Sequence, residues 1–528
     1  MDNMNMTDGG LMNVQACESA PQTGGNDMQE RQKGNRFWRL GPISLLYALF
    51  YTFCLYHNAS GITYPFFAGG TLCFFYYYTK KFAINSAAAD SRFLAGAILI
   101  AGTLNCTTDS DVLIFFNKLL MYILLCVLLL QTWHTITGWS IATHVKAAAY
   151  MTGGTISRLF DPLTDYLAMR RLAQAEAALP DRSDRKRIAG AIAIGLGLAM
   201  PVALLIVALL GSADAVFFEL VYDVLWFLLE GRFWQSMEDV FLICKVIFRI
   251  ALVFAVVYAV FSYNTNPDCI KAVDTMAEKK RARWDSYIAV TINTIICVIY
   301  LIFSGIQIFG LFLGRLELPM GYTYASYAQR GFFQLVFVCL FNIFLVLCTL
   351  AHFNNTRILK TILTVICACT YIMAASSAFR MALYIKSYRL TFLRVFVLWA
   401  LVMITIVMTG VTLCIYKPDF RLFRYVLVCM TVGWLCFSAA HPDYWIARYN
   451  ISHSVDGETL DLDYLTDQLS LDALPAVTAS EYAAGADFGS WSRRLNRHKE
   501  EQGGGMGFRY FNFSRAYAQK CYGRILYK

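Results

Sequence analysis

Gly331-Phe-Phe-Gln-Leu-Val-Phe-Val-Cys-Leu-Phe-Asn-Ile-Phe-Leu-Val-Leu-Cys-Thr-Leu-Ala351 contains no charged side chain. At 1.5 Å per residue, a helix of this length covers about 30 Å, the thickness of the hydrocarbon core of a bilayer. One such run is also compatible with the buried core of a large soluble protein. Recurrence decides between the two. Comparable runs occupy 40–57, 61–78, 93–108, 112–131, 188–211, 240–263, 287–313, 358–379, 391–416 and 422–440. With 331–351 they predict an all-α, polytopic transmembrane helical bundle of about eleven spans, with interfacial helices and a small C-terminal tail. Composition agrees: 58% of the 528 residues are hydrophobic and 15% charged, whereas soluble domains carry about 25% charged residues.

The spans organise the rest of the chain. Residues 1–39 read as a disordered polar tail without the basic start and apolar core of a signal peptide. Arg36-Phe-Trp-Arg39 reads as an interfacial anchor. Residues 40–440 form the membrane domain and 441–528 an extramembrane tail. The net charge of +9 reflects Lys and Arg held in cytoplasmic loops rather than affinity for nucleic acid. With the N-terminus inside, the inner segments are several times richer in Lys and Arg than the outer loops. This predicts a cell-membrane protein with a cytoplasmic N-terminus. Arg380, Lys386, Arg389 and Arg394 oppose that rule, which means either a surface-lying segment or one span more or fewer before it.

Two inserts differ in charge. Residues 146–187 are basic and Ala-rich and suit helices on the cytoplasmic face, drawn to anionic lipid headgroups. Residues 212–239 carry an acidic stripe, Glu219, Asp223 and Glu230, opposite Phe217, Leu220 and Leu228, suited to an outer interfacial helix. In the tail, Asp461-Leu-Asp-Tyr-Leu465 and Ser470-Leu-Asp-Ala-Leu474 each announce a short helix. Gly503-Gly-Gly505 reads as a flexible joint. Phe508 to Lys528 interleaves aromatic and basic residues and suits a headgroup surface.

Few side chains suggest chemistry. Polar residues within or near the runs are Lys118, Gln131, Lys245, Arg249, Asn293, Gln307 and Asn342, where exposure to lipid is costly. Lys245 and Arg249 share a face and can pair with Glu238 or Asp239. Ala191, Gly195 and Ala199, like Gly310 and Gly314, mark close helix packing. Gly69-Gly70 and Pro201 hint at broken spans. Most of the 16 cysteines lie in apolar runs, and Cys367 and Cys369 project to nearly opposite sides of a helix, against a disulfide framework or a metal site. His134 and His144 lack partners at ligand spacing. Nucleotide-loop, hydrolase and zinc-protease motifs are absent, so no catalytic, metal or cofactor-binding residue is assigned.

Several segments resemble a known family. Gly211-Ser-Ala-Asp-Ala-Val-Phe217, Tyr324-Ala-Ser-Tyr-Ala-Gln-Arg-Gly-Phe-Phe-Gln-Leu335, Ser377-Ala-Phe-Arg-Met-Ala-Leu-Tyr384 and Leu390-Thr-Phe-Leu-Arg394 are similar, in order, to the bacterial polytopic family labelled domain of unknown function 4173, with its broader 4153 relatives. Pro442-Asp-Tyr-Trp-Ile-Ala-Arg-Tyr-Asn-Ile451, Leu460-Asp-Leu-Asp-Tyr-Leu465, Asp472-Ala-Leu-Pro475 and Phe511-Asn-Phe-Ser514 extend the resemblance into the tail. It implies a multi-pass bacterial membrane protein and carries no activity over. If a shared site exists, Asp214, Tyr327, Arg330, Arg380, Tyr384, Arg394, Arg448 and Asn450 are its candidates. The leading reading is a non-enzymatic envelope regulatory, scaffold or sensing protein that meets lipid headgroups and a membrane or regulatory protein partner. The alternatives are a secondary transporter or permease for a small solute, and a membrane-embedded transferase using Asp214 or Asp223.

Overall fold

The computed structural model describes residues 23–58, 60–81, 89–133, 141–176, 232–266, 269, 284–309, 332–454, 460–484, 488–503 and 507–526. The helices at the expected spans are α1 (Thr23–Leu55), α2 (Thr63–Lys81), α3 (Ala89–Leu104), α4 (Asp111–Trp133), α7 (Arg232–Asn264), α8 (Ser286–Gln307), α9 (Phe332–His352), α10 (Arg357–Tyr388), α11 (Phe392–Tyr416) and α12 (Leu422–Ala439). Between α4 and α7 lie α5 (Ile141–Ser157) and α6 (Asp161–Glu176). After α12 come α13 (Pro442–Ser452), α14 (Leu474–Thr478), α15 (Gly489–Gly503) and α16 (Phe513–Leu526). Eight of these helices are long and apolar enough to cross a membrane. Of the other two expected spans, α3 is short, with an apolar stretch of Ser91–Leu104, and α2 ends in Tyr76-Tyr-Tyr78 and Lys80-Lys81. The expected span 188–211 and the segment 212–231 lie outside the described residues. Among the described residues the only β pairing is a single bridge, Trp284 to Phe353.

Three expectations change. Residues 23–39, read as tail, are helical and continuous with the first span. Gly69-Gly70 does not break α2; a Cβ at Gly70 would sit 2.3 Å from the Phe50 ring, so this glycine permits close approach of an aromatic side chain. The basic segment after residue 379 is not a separate surface element. Helix α10 has 32 residues, roughly 48 Å, longer than the hydrocarbon core, so Arg380 and Lys386 continue the same rod.

The chain forms two units. The first comprises residues 1–48 and 155–262. In it Arg36 does not serve as a free interfacial anchor but grips Asp165, whose side chain is fully buried, with two hydrogen bonds of 2.6 and 2.7 Å. The Tyr258 hydroxyl donates to the same carboxylate at 2.6 Å, and Ser262 donates to Asp161 at 2.5 Å. Two forked contacts and a phenol satisfy a carboxylate that would be prohibitively costly to bury alone. Thus α1, α6 and α7 are fastened by one polar knot, with Phe37 against Tyr166 and Tyr258.

The second unit comprises residues 49–154 and 263–528. Helix α10 is its central element, packed on α8, α9 and α11. Leu359, Leu363 and Ile366 meet Val346, Met408 and Val411 in one apolar cluster; Met373, Met381 and Ile385 meet Phe332, Leu401 and Ile404 in the next. Cys367 falls in the first cluster and Cys369 in the second. Helices α4, α11 and α12 share an aromatic cluster of Phe116, Phe396, Trp399, Trp434 and Phe437, where Asn117 accepts from Trp434 Nε1 at 2.8 Å and donates to Ser438 at 3.0 Å.

Candidate functional site

Residues 441–526 contain a small lobe with its own core. Ile446, Leu465, Leu469, Leu471, Leu474, Val477, Trp491, Leu495 and Ala518 are buried together. The two helices expected at 461–465 and 470–474 form as a π-helical turn, Tyr464–Gln468, and a 3-10 turn, Leu471–Ala473, that runs into α14. The terminal stretch, whose composition suits a headgroup surface, also returns partly into the protein. Asn512 is buried and donates to the carbonyls of Ser60 and Thr108, both at 2.9 Å. Arg509 donates to the Tyr56 carbonyl at 2.7 Å and lies over the Phe53 ring. Backbone bonds join Ile62 to Phe511 and Phe513 to Cys106, each 2.8 Å. The lobe is therefore fastened to the α1–α2 and α3–α4 loops. Asn450 ties it to the α10–α11 turn as well.

Where the lobe meets the α3–α4 loop, three carboxylates are buried. Asp472 accepts from Thr108 Oγ1 at 2.6 Å, the Asp109 N–H at 2.9 Å, His441 Nδ1 at 3.2 Å and Ser514 Oγ. Asp109 accepts from Arg515 Nε at 2.5 Å and the Leu471 N–H at 3.4 Å, with His498 Nε2 at 3.8 Å. Asp443 Oδ2 accepts from Ser470 Oγ at 2.5 Å and the Ser470 N–H at 3.3 Å. Its Oδ1 is buried without a hydrogen-bond partner among the described residues. His441 begins α13 in the left-handed region, φ 48°, a conformation histidine tolerates better than most side chains, and this aims its ring at Asp472.

These surroundings separate the acids. Burial works against the Asp472 carboxylate, but the donors from His441, Ser514, Thr108 and Asp109 outweigh it and hold its pKa below the usual range. Burial, reinforced by the charge of Asp472, pushes Asp443 up to about 6 against the pull of Ser470 and Ser110. Burial likewise raises Asp109, against Arg515. The bond to Asp472 raises His441. Of the three acids, Asp443 is thus the one that exchanges its proton in mild acid. Among the described residues no group of three or more His, Cys, Asp or Glu is placed to hold a metal ion.

The candidates drawn from the resemblance divide. Asp214, Tyr327 and Arg330 lie outside the described residues. Arg394 lies over the Tyr384 ring at 4.3 Å and donates to the carbonyls of Tyr388, at 2.6 Å, and Arg389. Asn450 joins the same turn through Leu390. Arg448 is exposed, over the Trp445 ring at 5.4 Å. Arg380 is buried a few turns away and donates to Gln307 at 3.0 Å.

Arg380 belongs to a polar ladder between α8, α9 and α10. Asn293 faces Thr349 at 3.4 Å. Tyr300 donates to Asn342 at 2.7 Å, and Asn342 to Thr370 at 2.9 Å. Gln307 accepts from Ser376 at 2.6 Å as well as from Arg380. Rungs at 293, 300 and 307 recur every seven residues, so they share one face of α8. Three of the polar residues singled out within spans thus come together. Lys118 instead lies over the Tyr64 ring, and the expected partners of Lys245 and Arg249, Glu238 and Asp239, have side chains outside the description.

Asp109, Asp443, Asp472, His441 and Arg515 are not among the site candidates that the sequence offers. The available signal was Thr107-Thr-Asp-Ser-Asp111, a dense polar run between two spans. A family model described as a domain of unknown function (DUF4153) matches residues 94–479. No curated protein and no solved structure matches the chain.

Proposed function

The chain belongs to the DUF4153 family, the broader of the two relatives named above, and on that premise we propose that it is a non-enzymatic envelope protein that regulates, scaffolds or senses through its C-terminal lobe. It is embedded in a membrane by its apolar helices. The supporting observation is the junction itself: a folded lobe is coupled to the membrane helices through three buried aspartates and two histidines. A lobe that merely decorated the bundle would need no such costly contacts. In this reading the N-terminus is cytoplasmic in the cell membrane, and the lobe shares the outer side with the α1–α2, α3–α4 and α10–α11 connections that it grips. A membrane or regulatory protein partner would read the state of the lobe.

Limited proteolysis of the reconstituted protein between pH 4 and 8, with topology reporters at residues 57 and 528, tests this. Cleavage within 441–526 that rises with pH and both reporters outside are expected; pH-independent cleavage or reporters on opposite sides overturn it. The polar ladder of α8, α9 and α10 favours a second reading, a secondary transporter or permease for a small solute, because polar groups within a bundle also line solute paths. Solute flux into proteoliposomes, abolished by substitution of Asn342, would favour it over the first.

A further inference from the structure

We propose that the outer face of α16 is a docking surface for anionic phospholipid headgroups, through Phe513, Tyr517, Lys520 and Arg524. These four residues follow the spacing i, i+4, i+7, i+11 and so fall within one narrow stripe of the helix. All four are exposed, Phe513 by 52% and Tyr517 by 59%. Ala518, on the opposite side, is completely buried in the core of the lobe, and Arg515 is turned inward to Asp109. The rotation of α16 is thus fixed from within, and the stripe has no freedom to fold back into the lobe.

The height of the stripe is fixed as well. The Phe513 N–H bonds the carbonyl of Cys106, two residues beyond the end of α3, and the Phe511 carbonyl bonds Ile62, one residue before α2. The start of α16 therefore stands where two apolar helices end. Exposed Phe508, 62% accessible, lies in the preceding turn. Aromatic rings near that level, with cations one and two turns further along the helix, are the side chains that a membrane interface and its phosphates hold. Helix α16 contains no acidic residue, so charge complementarity selects anionic lipid. A protein partner would be the other occupant, and the test separates the two. This inference requires only that the chain is membrane-embedded and stands apart from the regulatory reading.

Hydrogen exchange of the full chain in nanodiscs of phosphatidylcholine, with or without phosphatidylglycerol, tests it. Amides of Phe513–Leu526 are expected to exchange more slowly with phosphatidylglycerol, by roughly fivefold or more, the factor one near-surface cation supplies. The difference disappears in Lys520→Glu/Arg524→Glu, while exchange at Leu474–Thr478 stays unchanged and reports that the lobe is folded. A photoreactive phenylalanine at position 517 gives lipid adducts. Equal exchange in both nanodiscs, or adducts formed with protein alone, overturns the proposal.

Discussion

Asn450 forms a closed pair with the backbone of Leu390: its Oδ1 accepts the Leu390 N–H at 2.8 Å and its Nδ2 donates to the Leu390 carbonyl at 2.9 Å. The amide thereby stands in for a neighbouring strand at the one point where α10 turns into α11. The preceding residue, Arg389, has φ 66°, a region where side chains other than glycine cost about 1–3 kcal/mol. Asn450→Ala leaves both Leu390 groups without these partners. The expected loss is roughly 2–4 kcal/mol, read as a lower midpoint in thermal unfolding, and Asn450→Asp, which keeps only the acceptor, falls between.

At Gly61 a methyl group would sit 1.8 Å from the Arg509 carbonyl oxygen. The obstacle is backbone and cannot swing aside. Gly61→Ala should cost roughly 1–3 kcal/mol and expose the 507–513 segment to protease, whereas Gly96→Ala, which meets nothing within 4 Å, should leave cleavage unchanged.

The junction has a definite pH sign. Asp443, displaced from 3.8 to about 6, stabilises the fold at low pH and loses that contribution as pH rises through about 6. Asp109 and His441, also raised, act in the same sense. Asp472, lowered, fails only when pH falls below the usual carboxylate range. The lobe should therefore be held most firmly in mild acid and loosen toward pH 8. Asp443→Asn removes the Asp443 contribution, a displacement worth roughly 3 kcal/mol. Exchange rates in 460–484 across pH 4–8 should flatten in this variant, and an unaltered profile would count against it.

Removing the Asp165 carboxylate strands the Arg36 guanidinium. Because Arg36 retains 28% exposure, Asp165→Ala should cost roughly 2–3 kcal/mol, less than the 3–5 of a fully buried pair. The loss should couple strongly to Tyr258→Phe in a double-mutant cycle on the unfolding midpoint.

Asn342→Leu removes the central rung of the ladder. If the rung serves packing, stability falls by roughly 1–2 kcal/mol with solute permeability unchanged.

The membrane helices were legible because run length is a local property: the uncharged stretch of 331–351 became α9 almost residue for residue. Boundaries were less so. Residues 23–39 extend the first helix, and the partner that holds Arg36 there, Asp165, lies more than a hundred residues away, outside any window over residues 23–39. The junction was hidden for the same reason, since Asp109 and Arg515 are separated by 406 positions. The core of the lobe was masked by composition: Trp491 and Leu495 stand four apart in a strongly polar helix, so the average reads polar while one face is apolar. Asn293, Gln307 and Asn342 were visible as polar groups in apolar runs, but their partners on α8, α9 and α10 were not.

Asn512 also sets an order of events. It closes the Ser60 and Thr108 carbonyls from over four hundred positions downstream. At ribosomal speeds of 5–20 residues per second, the two hairpins it completes wait roughly 20 to 80 seconds after their own synthesis. During that interval their polar connections must be satisfied by water, an insertase or a chaperone. Maturation of the first four helices is thus timed by the final part of the chain, and a ribosome stalled before residue 512 would leave behind a bundle that is inserted but unlatched.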